Sequence, residues 1–164
     1  MNQEVRTDPK PAKRISTPTT VLLARRLHAD PEHVFDAWLD SGKAKKWIVA
    51  PSPRDEIVSA SIDARVGGTF SFVLDRDGQE IEHLGGYVEI DRPRRLAFTW
   101  NVSGAREHSG VRRPETGSLV TLDFAPAGTG TELRLTHEGV PEEYALATEE
   151  GWSKIIQALA NSIT

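Results

Sequence analysis

The longest helical repeat of apolar positions in the chain lies between Pro141 and Thr164. At about 100° per residue, these apolar positions fall within an arc of roughly 140° on one side of a helix. Pro141 suits the first position of a helix, and Glu142 and Glu143 suit the positive end of its dipole. The pattern predicts a helix of roughly 20 residues that begins at Pro141 and needs a surface to lie on. Its apolar face consists of Trp152, Ile155, Ile156, Leu159, Ala160 and Ile163.

Two short helices are predicted near the start of the chain, after a first strand from Thr20 to His28. Asp30-Pro31-Glu32 has the order of a helix start, with an N-cap residue, a proline at the first position and an acid in the first turn. This helix runs to about Leu39. A second short helix, Ser41 to Trp47, is predicted to end before the loop Pro51-Ser52-Pro53.

From Glu56 onwards the period of the apolar positions changes to two, which is the period of a strand. Val58, Ala60 and Ile62 form the first such series, and Asp75 to Gly78 has the composition of a hairpin turn. The polar stretch from Val102 to Gly117 is expected to be a mobile loop. About six antiparallel strands joined by tight turns follow from this pattern. The predicted class is α+β, with helices packed against one strongly bent sheet.

Composition adds a boundary and excludes several classes. Residues 1–19 contain three prolines and six charges, which predicts a disordered tail before one domain over residues 20–164. The net charge of −4, with its basic residues spread out, argues against a nucleic-acid surface. No apolar run reaches the ~18 residues of a membrane span. Residues 1–10 lack the apolar core of a secretion signal, so the expected location is the cytoplasm.

The search for reactive groups finds no metal, cofactor or nucleophile motif. None of the five histidines is spaced from another ligand as a metal site requires, and no serine lies in a nucleophile elbow. The glycine pairs lie at strand ends or turns, and not between a strand and a helix where they would bind phosphate. We therefore expect neither a metal nor a cofactor.

Two polar residues are predicted to face the long helix. If Val88 and Ile90 point inward, strand alternation also turns Leu84 and Glu82 inward. By the same rule His137 shares its face with Leu133. An inward Glu82 or His137 could anchor the polar end of a ligand or transfer a proton. The alternatives are a structural hydrogen bond for His137 and a strand twist that turns Glu82 to water.

Several short motifs occur in an order that resembles a known family. They resemble the domain shared by the carboxy-terminal half of the activator of Hsp90 ATPase and many bacterial single-domain relatives, within the START and Bet v 1-like superfamily. The resemblance extends over about Thr20 to Thr164. The motifs are Val66–Phe70, Asp77-Gly78, Gly86–Ile90, Arg95–Trp100, Thr131–Leu133, Thr136–Gly139 and Gly151-Trp152.

The resemblance implies a helix-grip fold, in which the curved sheet wraps the C-terminal helix and a cavity between them holds a small apolar or aromatic ligand. One alternative is a cyclase-like or dehydratase-like enzyme that uses Glu82 and His137 in the same cavity. Another is a partner of Hsp90. For the tryptophans, core packing is the alternative to ligand contact. The candidate ligand-binding residues are Trp47, Phe70, Phe72, Glu82, Leu84, Val88, Trp100, Leu122, Phe124, His137, Trp152 and Ile156.

Overall fold

The computed structural model describes residues 17–104 and 118–163. These residues form one seven-stranded antiparallel sheet, two short helices after the first strand and a long C-terminal helix, which confirms the predicted α+β helix-grip fold. The elements are β1 (Pro18–Leu27), α1 (Pro31–Leu39), α2 (Ser41–Trp47), β2 (Glu56–Ile62), β3 (Thr69–Arg76), β4 (Gln79–Asp91), β5 (Arg95–Gly104), β6 (Ser118–Ala127), β7 (Gly130–Pro141) and α3 (Ala145–Ile163).

The two short helices begin and end where the sequence predicts. The Asp30 side chain accepts a hydrogen bond from the His33 backbone N–H at 2.8 Å, which caps α1. Asp40 accepts one from the Lys43 N–H at 3.1 Å and caps α2 in the same way. Together α1 and α2 connect β1 to β2.

The strand order is β1-β7-β6-β5-β4-β3-β2, so β1 and β2 form the two edges of the sheet. From β2 to β7 each strand pairs with the next along the chain, as short turns require. Asp77 and Gly78 form the turn between β3 and β4 with φ of 51° and 84°. Two positive φ values fit the twist of a two-residue hairpin, and glycine adopts them without steric cost.

The long helix begins later than predicted. Pro141 is the last residue of β7, where its ψ of 134° is extended and it still pairs with Pro18 of β1. A 3₁₀ turn, Glu142–Tyr144, then leads into α3. The proline was a plausible first helical residue by type, but pairing with the edge strand keeps it in the sheet.

Helix α3 lies against the inner face of the sheet and buries the face that its periodicity predicts. Trp152, Ile155, Ile156 and Leu159 are all at most 4% exposed. They join one core with α1, α2 and the inward side chains of the strands. This core positions the candidate site.

Register shifts interrupt the alternation in β1, β2 and β4 and make part of the prediction wrong. In β2 the shift between Ile57 and Ser59 leaves Val58 53% exposed, apart from Ala60 and Ile62, which pack against the core. The register of β4 shifts between Tyr87 and Glu89, and Val88 is 53% exposed on the outer face. Before the shift His83 and Tyr87 point inward. His83 lies opposite the inward Phe72 of β3, and Tyr87 lies opposite the inward Phe98 of β5. Glu82, Leu84 and Val88, all predicted to point inward, therefore lie on the outer face. Ile90 beyond the shift packs against the core, because an extra residue in a strand reverses the alternation beyond it.

The edges of two predicted segments also change. Pro18 and Thr19, which the prediction placed in the tail, belong to β1, and the rest of that tail up to residue 16 lies outside the described residues. Val102 lies in β5, and residues 105–117 of the predicted loop lie outside the described residues.

Within residues 17–104 and 118–163, no helix has both the length and the apolar character needed to span a membrane.

Candidate functional site

An aromatic cluster fills the space between the sheet and the helices. Phe70 is its centre, with ring centroids 5.5 Å from Phe72, 5.6 Å from Tyr87, 5.5 Å from Phe98 and 5.8 Å from Trp100. These are the distances of attractive tilted and offset ring pairs. The residues come from β3, β4 and β5, so adjacent pairing of these strands assembles the cluster.

The helices complete this cluster from the other side. The Trp38 ring of α1 lies 5.3 Å from the Trp47 ring of α2, and Trp47 lies 5.5 Å from Phe72. On α3, Trp152 lies 4.9 Å from Trp100. The side chains leave a void of about 10 Å³, which has room for about one water molecule. We call it the aromatic pocket; its lining is Trp38, Trp47, Phe70, Phe72, Tyr87, Leu96, Phe98 and Trp100.

One polar group in the pocket wall lacks a partner. The Nε1–H of Trp38 is buried and finds no acceptor among the described residues. The neighbouring Trp47 differs, because its Nε1–H donates to the Ala37 carbonyl at 3.3 Å. A buried donor without an acceptor costs about 1–3 kcal/mol. Trp38 thus lines the pocket and carries a buried donor for which the described residues supply no acceptor.

His137 lies next to the cluster in a complete chain of hydrogen bonds. The Trp152 Nε1–H donates to His137 Nδ1 at 2.9 Å, which makes that nitrogen the acceptor of a neutral ring. The His137 Nε2–H then donates to Ser118 Oγ at 2.6 Å, and Ser118 donates to the Trp100 carbonyl at 3.1 Å. Burial lowers the pKa of His137 to about 4, so the ring is neutral near pH 7. Both ring nitrogens have partners, which supports the structural alternative for this residue.

His83 is an inward residue that the predicted alternation missed. Its ring lies 5.4 Å from Trp100, and its Nδ1 is buried without a partner among the described residues. Burial, with a smaller contribution from the nearby Arg76 charge, lowers the pKa of His83 to about 4. His83 pairs with the inward Phe72 of β3. The sequence could have predicted its inward direction only if the bulge in β4 had been known.

Glu82 does not reach the pocket. It pairs across the ladder with Val73 on the outer face and accepts a hydrogen bond from the Ser71 hydroxyl. Because Glu82 and His137 lie on opposite faces of the sheet, they do not form the acid–base pair that the enzyme alternative requires.

The structure brings most of the predicted site residues together, in two layers. Trp47, Phe70, Phe72 and Trp100 line the aromatic pocket. The other inward residues are in the core around it without lining it: Leu122, Phe124, His137, Trp152 and Ile156.

Four lining residues were absent from the prediction: Trp38, Tyr87, Leu96 and Phe98. Leu96 and Phe98 alternate with Trp100, so the same periodicity could have included them. Tyr87 was predicted to point outward, because the bulge beside it reverses the alternation.

The sheet, the long helix and the aromatic pocket between them define a helix-grip protein. The family model described as "Activator of Hsp90 ATPase homolog 1-like protein" matches residues 28–163, and the chain belongs to that family. Among proteins of curated function, none matches the chain.

Solved structures of bacterial proteins share this fold. Protein CV1439 from Chromobacterium violaceum is 27% identical with a TM-score of 0.71, and the match covers 88% of this chain and 96% of that one. Protein Mll3558 from Rhizobium loti is 26% identical with a TM-score of 0.72, over the same shares of the two chains. The AHSA1-like protein from Aeromonas hydrophila, at 19% identity and a TM-score of 0.70, covers 87% of this chain and 90% of its own, and it supports the fold alone.

Proposed function

We propose that the protein binds a small aromatic molecule that carries a hydrogen-bond acceptor, in the aromatic pocket between the sheet and α3. The unpartnered Nε1–H of Trp38 carries this proposal. A ligand carbonyl or ether oxygen would satisfy that donor, and its ring would replace contacts among the surrounding side chains. The family's general association with hydrophobic ligands supports the same class of molecule.

The size of the pocket adds a requirement to the proposal. A void of about 10 Å³ holds no organic molecule, so the rings must move apart when the ligand enters. Trp38 of α1 and Trp47 of α2 form the wall on the helix side of the pocket. Both helices are short, and they are joined directly at Asp40. Movement of α1 and α2 away from the sheet would open the pocket without breaking a strand pair.

Native mass spectrometry and ligand-observed NMR with three probes test this function. The probes are 2-acetonaphthone, which has rings and an acceptor, naphthalene, which has rings alone, and 2-decanone as an uncharged aliphatic molecule. We expect 2-acetonaphthone to bind about tenfold more tightly than naphthalene, because only its carbonyl meets the Trp38 donor. Absence of binding by every probe at millimolar concentration would contradict the proposal.

A second candidate is binding of a protein partner through the surface, and the description of the family makes Hsp90 the first to test. The nearly filled pocket favours this candidate, as do the exposed Tyr144 and Leu146 near the start of α3. A pull-down of Hsp90 and its ATPase rate with and without the protein separate the two candidates. No binding and an unchanged rate would count against this second function.

A further inference from the structure

A second opening lies between β1 and α3, and its lining shares no residue with the aromatic pocket. Its volume is about 320 Å³, which is within the range of small-molecule sites. We call it the β1–α3 groove. The strand contributes Arg25, Arg26, Leu27 and His28, and the helix contributes Ile156, Gln157, Ala160 and Asn161.

The lining of the β1–α3 groove is divided by chemistry. Leu27 and Ile156, at most 5% exposed, close the base of the groove where the strand meets the helix, and the half-buried Ala160 adds apolar surface beside them. The polar lining consists of arginine, histidine and amide groups, and none of the described residues that line the groove carries a carboxylate. An apolar base with basic and amide groups around it suits a molecule with a short hydrocarbon part and a negative charge.

Arg25 is the charged residue of this groove that lies deepest in the sheet's alternation. It lies on the inner face of β1, between Leu23 and Leu27 in the alternation and opposite Leu133 of β7. A charged side chain on an inner sheet face is costly unless it is paired. Its guanidinium crosses to α3 and donates to the Ser153 hydroxyl, which is neutral.

Several other arginines among the described residues pair with carboxylates. Arg76 forms two hydrogen bonds to the carboxylate of Asp55, and Arg92 forms two to Asp36. Arg134 pairs with Glu132 at 2.8 Å. Within residues 17–104 and 118–163, Arg25 has no carboxylate within 4.0 Å. Its guanidinium carries five N–H donors, so most of its capacity to bind an anion is unused.

We propose that the β1–α3 groove binds a small amphipathic anion, whose carboxylate or phosphate pairs with Arg25 and whose short hydrocarbon part lies on Leu27, Ile156 and Ala160. The planar guanidinium matches two oxygens of either anion. The site is independent of the aromatic pocket, because the two linings are separate and their ligands differ in charge.

Isothermal titration and NMR shift mapping of the full chain test the proposal with octanoate, octyl phosphate and octanol. We expect one or both anions to bind at least about tenfold more tightly than octanol, because only the anions form charge-assisted hydrogen bonds. Binding of both supports the shared anion chemistry. Binding of one alone supports the proposal and identifies the headgroup.

Variants locate the effect. Arg25→Gln should weaken the better anion about tenfold or more and leave octanol unchanged. Arg134→Gln, which removes an exposed arginine of the neighbouring strand, is the matched control and should have no effect. Ala160→Leu fills the apolar part and should weaken anion binding while Arg25 stays in place. It keeps the test valid if Arg25→Gln fails to fold.

Shift changes at residues 25–28 and 156–161 support the groove. The proposal is overturned if octanol binds as well as the anions, if neither anion binds at millimolar concentration, or if the shift changes lie at Trp38, Trp47 and Trp100 instead.

Discussion

At the residue scale, the hydrogen-bond chain through His137 is the feature that single substitutions test best. Ser118→Ala removes the acceptor of the His137 Nε2–H and leaves a buried donor unpaired. We expect a loss of about 1–3 kcal/mol in the free energy of unfolding, measured by urea denaturation. Ser59→Ala, at an exposed position of β2, should change it by less than about 0.5 kcal/mol. Equal losses from the two variants would show that the chain is not formed.

The direction of single strand side chains is where prediction from the sequence succeeds in part and fails in part. Phe70, Phe72 and Trp100 were placed correctly because β3 and β5 alternate without interruption through them. Glu82 and Val88 were placed wrongly because the bulge between Tyr87 and Glu89 separates them from Ile90, whose inward direction the prediction extended to them. Gly85 and Gly86 directly before the bulge are consistent with one, but glycines alone do not give its position. The enzyme alternative depended on this one misplaced face.

At the element scale, the central role of α3 predicts unequal effects along its two faces. Ile156 is 1% exposed, and Ile156→Ala should cost about 2–5 kcal/mol of the free energy of unfolding. Asn161→Ala, on the exposed side of the same helix, should change it by less than about 0.5 kcal/mol. The urea midpoint of each variant measures the difference. Small and equal effects would contradict a helix held by the sheet.

The bounds of the two short helices were easier to predict than the inward or outward direction of strand side chains, for a physical reason. The caps of α1 and α2 depend on neighbouring residues, so Asp30 and Asp40 fixed them in the sequence itself. The start of α3 depends on a distant strand, because Pro141 stays extended by pairing with Pro18. Local chemistry could not show that contact.

At the scale of the whole molecule, buried histidines predict how stability changes with pH. Burial lowers the pKa of His137 to about 4 in the folded protein, whereas the unfolded chain has the ordinary value of about 6.5. The unfolded state therefore binds the proton first, and stability falls as the pH drops from about 6.5 towards 4. For His137 the loss between pH 7.5 and 5 is about 2 kcal/mol.

The pKa of His83 is lowered in the same direction and adds to this loss. Urea midpoints at pH 7.5, 6.0 and 5.0 measure it. His83→Phe, which keeps a ring beside Trp100, should give a shallower decline than the unsubstituted chain. A midpoint that stays constant from pH 7.5 to 5.0 would contradict the buried, neutral histidines.

The central claim is that the aromatic pocket opens to a ligand that accepts a hydrogen bond from Trp38. The ¹H–¹⁵N cross-peaks of the four tryptophan indoles, recorded with and without 2-acetonaphthone, test it most directly. We expect the Trp38 Nε1–H to shift most and to move downfield. The indoles of Trp47 and Trp152, which already donate to Ala37 and His137, should shift less. Four indole signals that stay unchanged at saturating ligand would contradict the account.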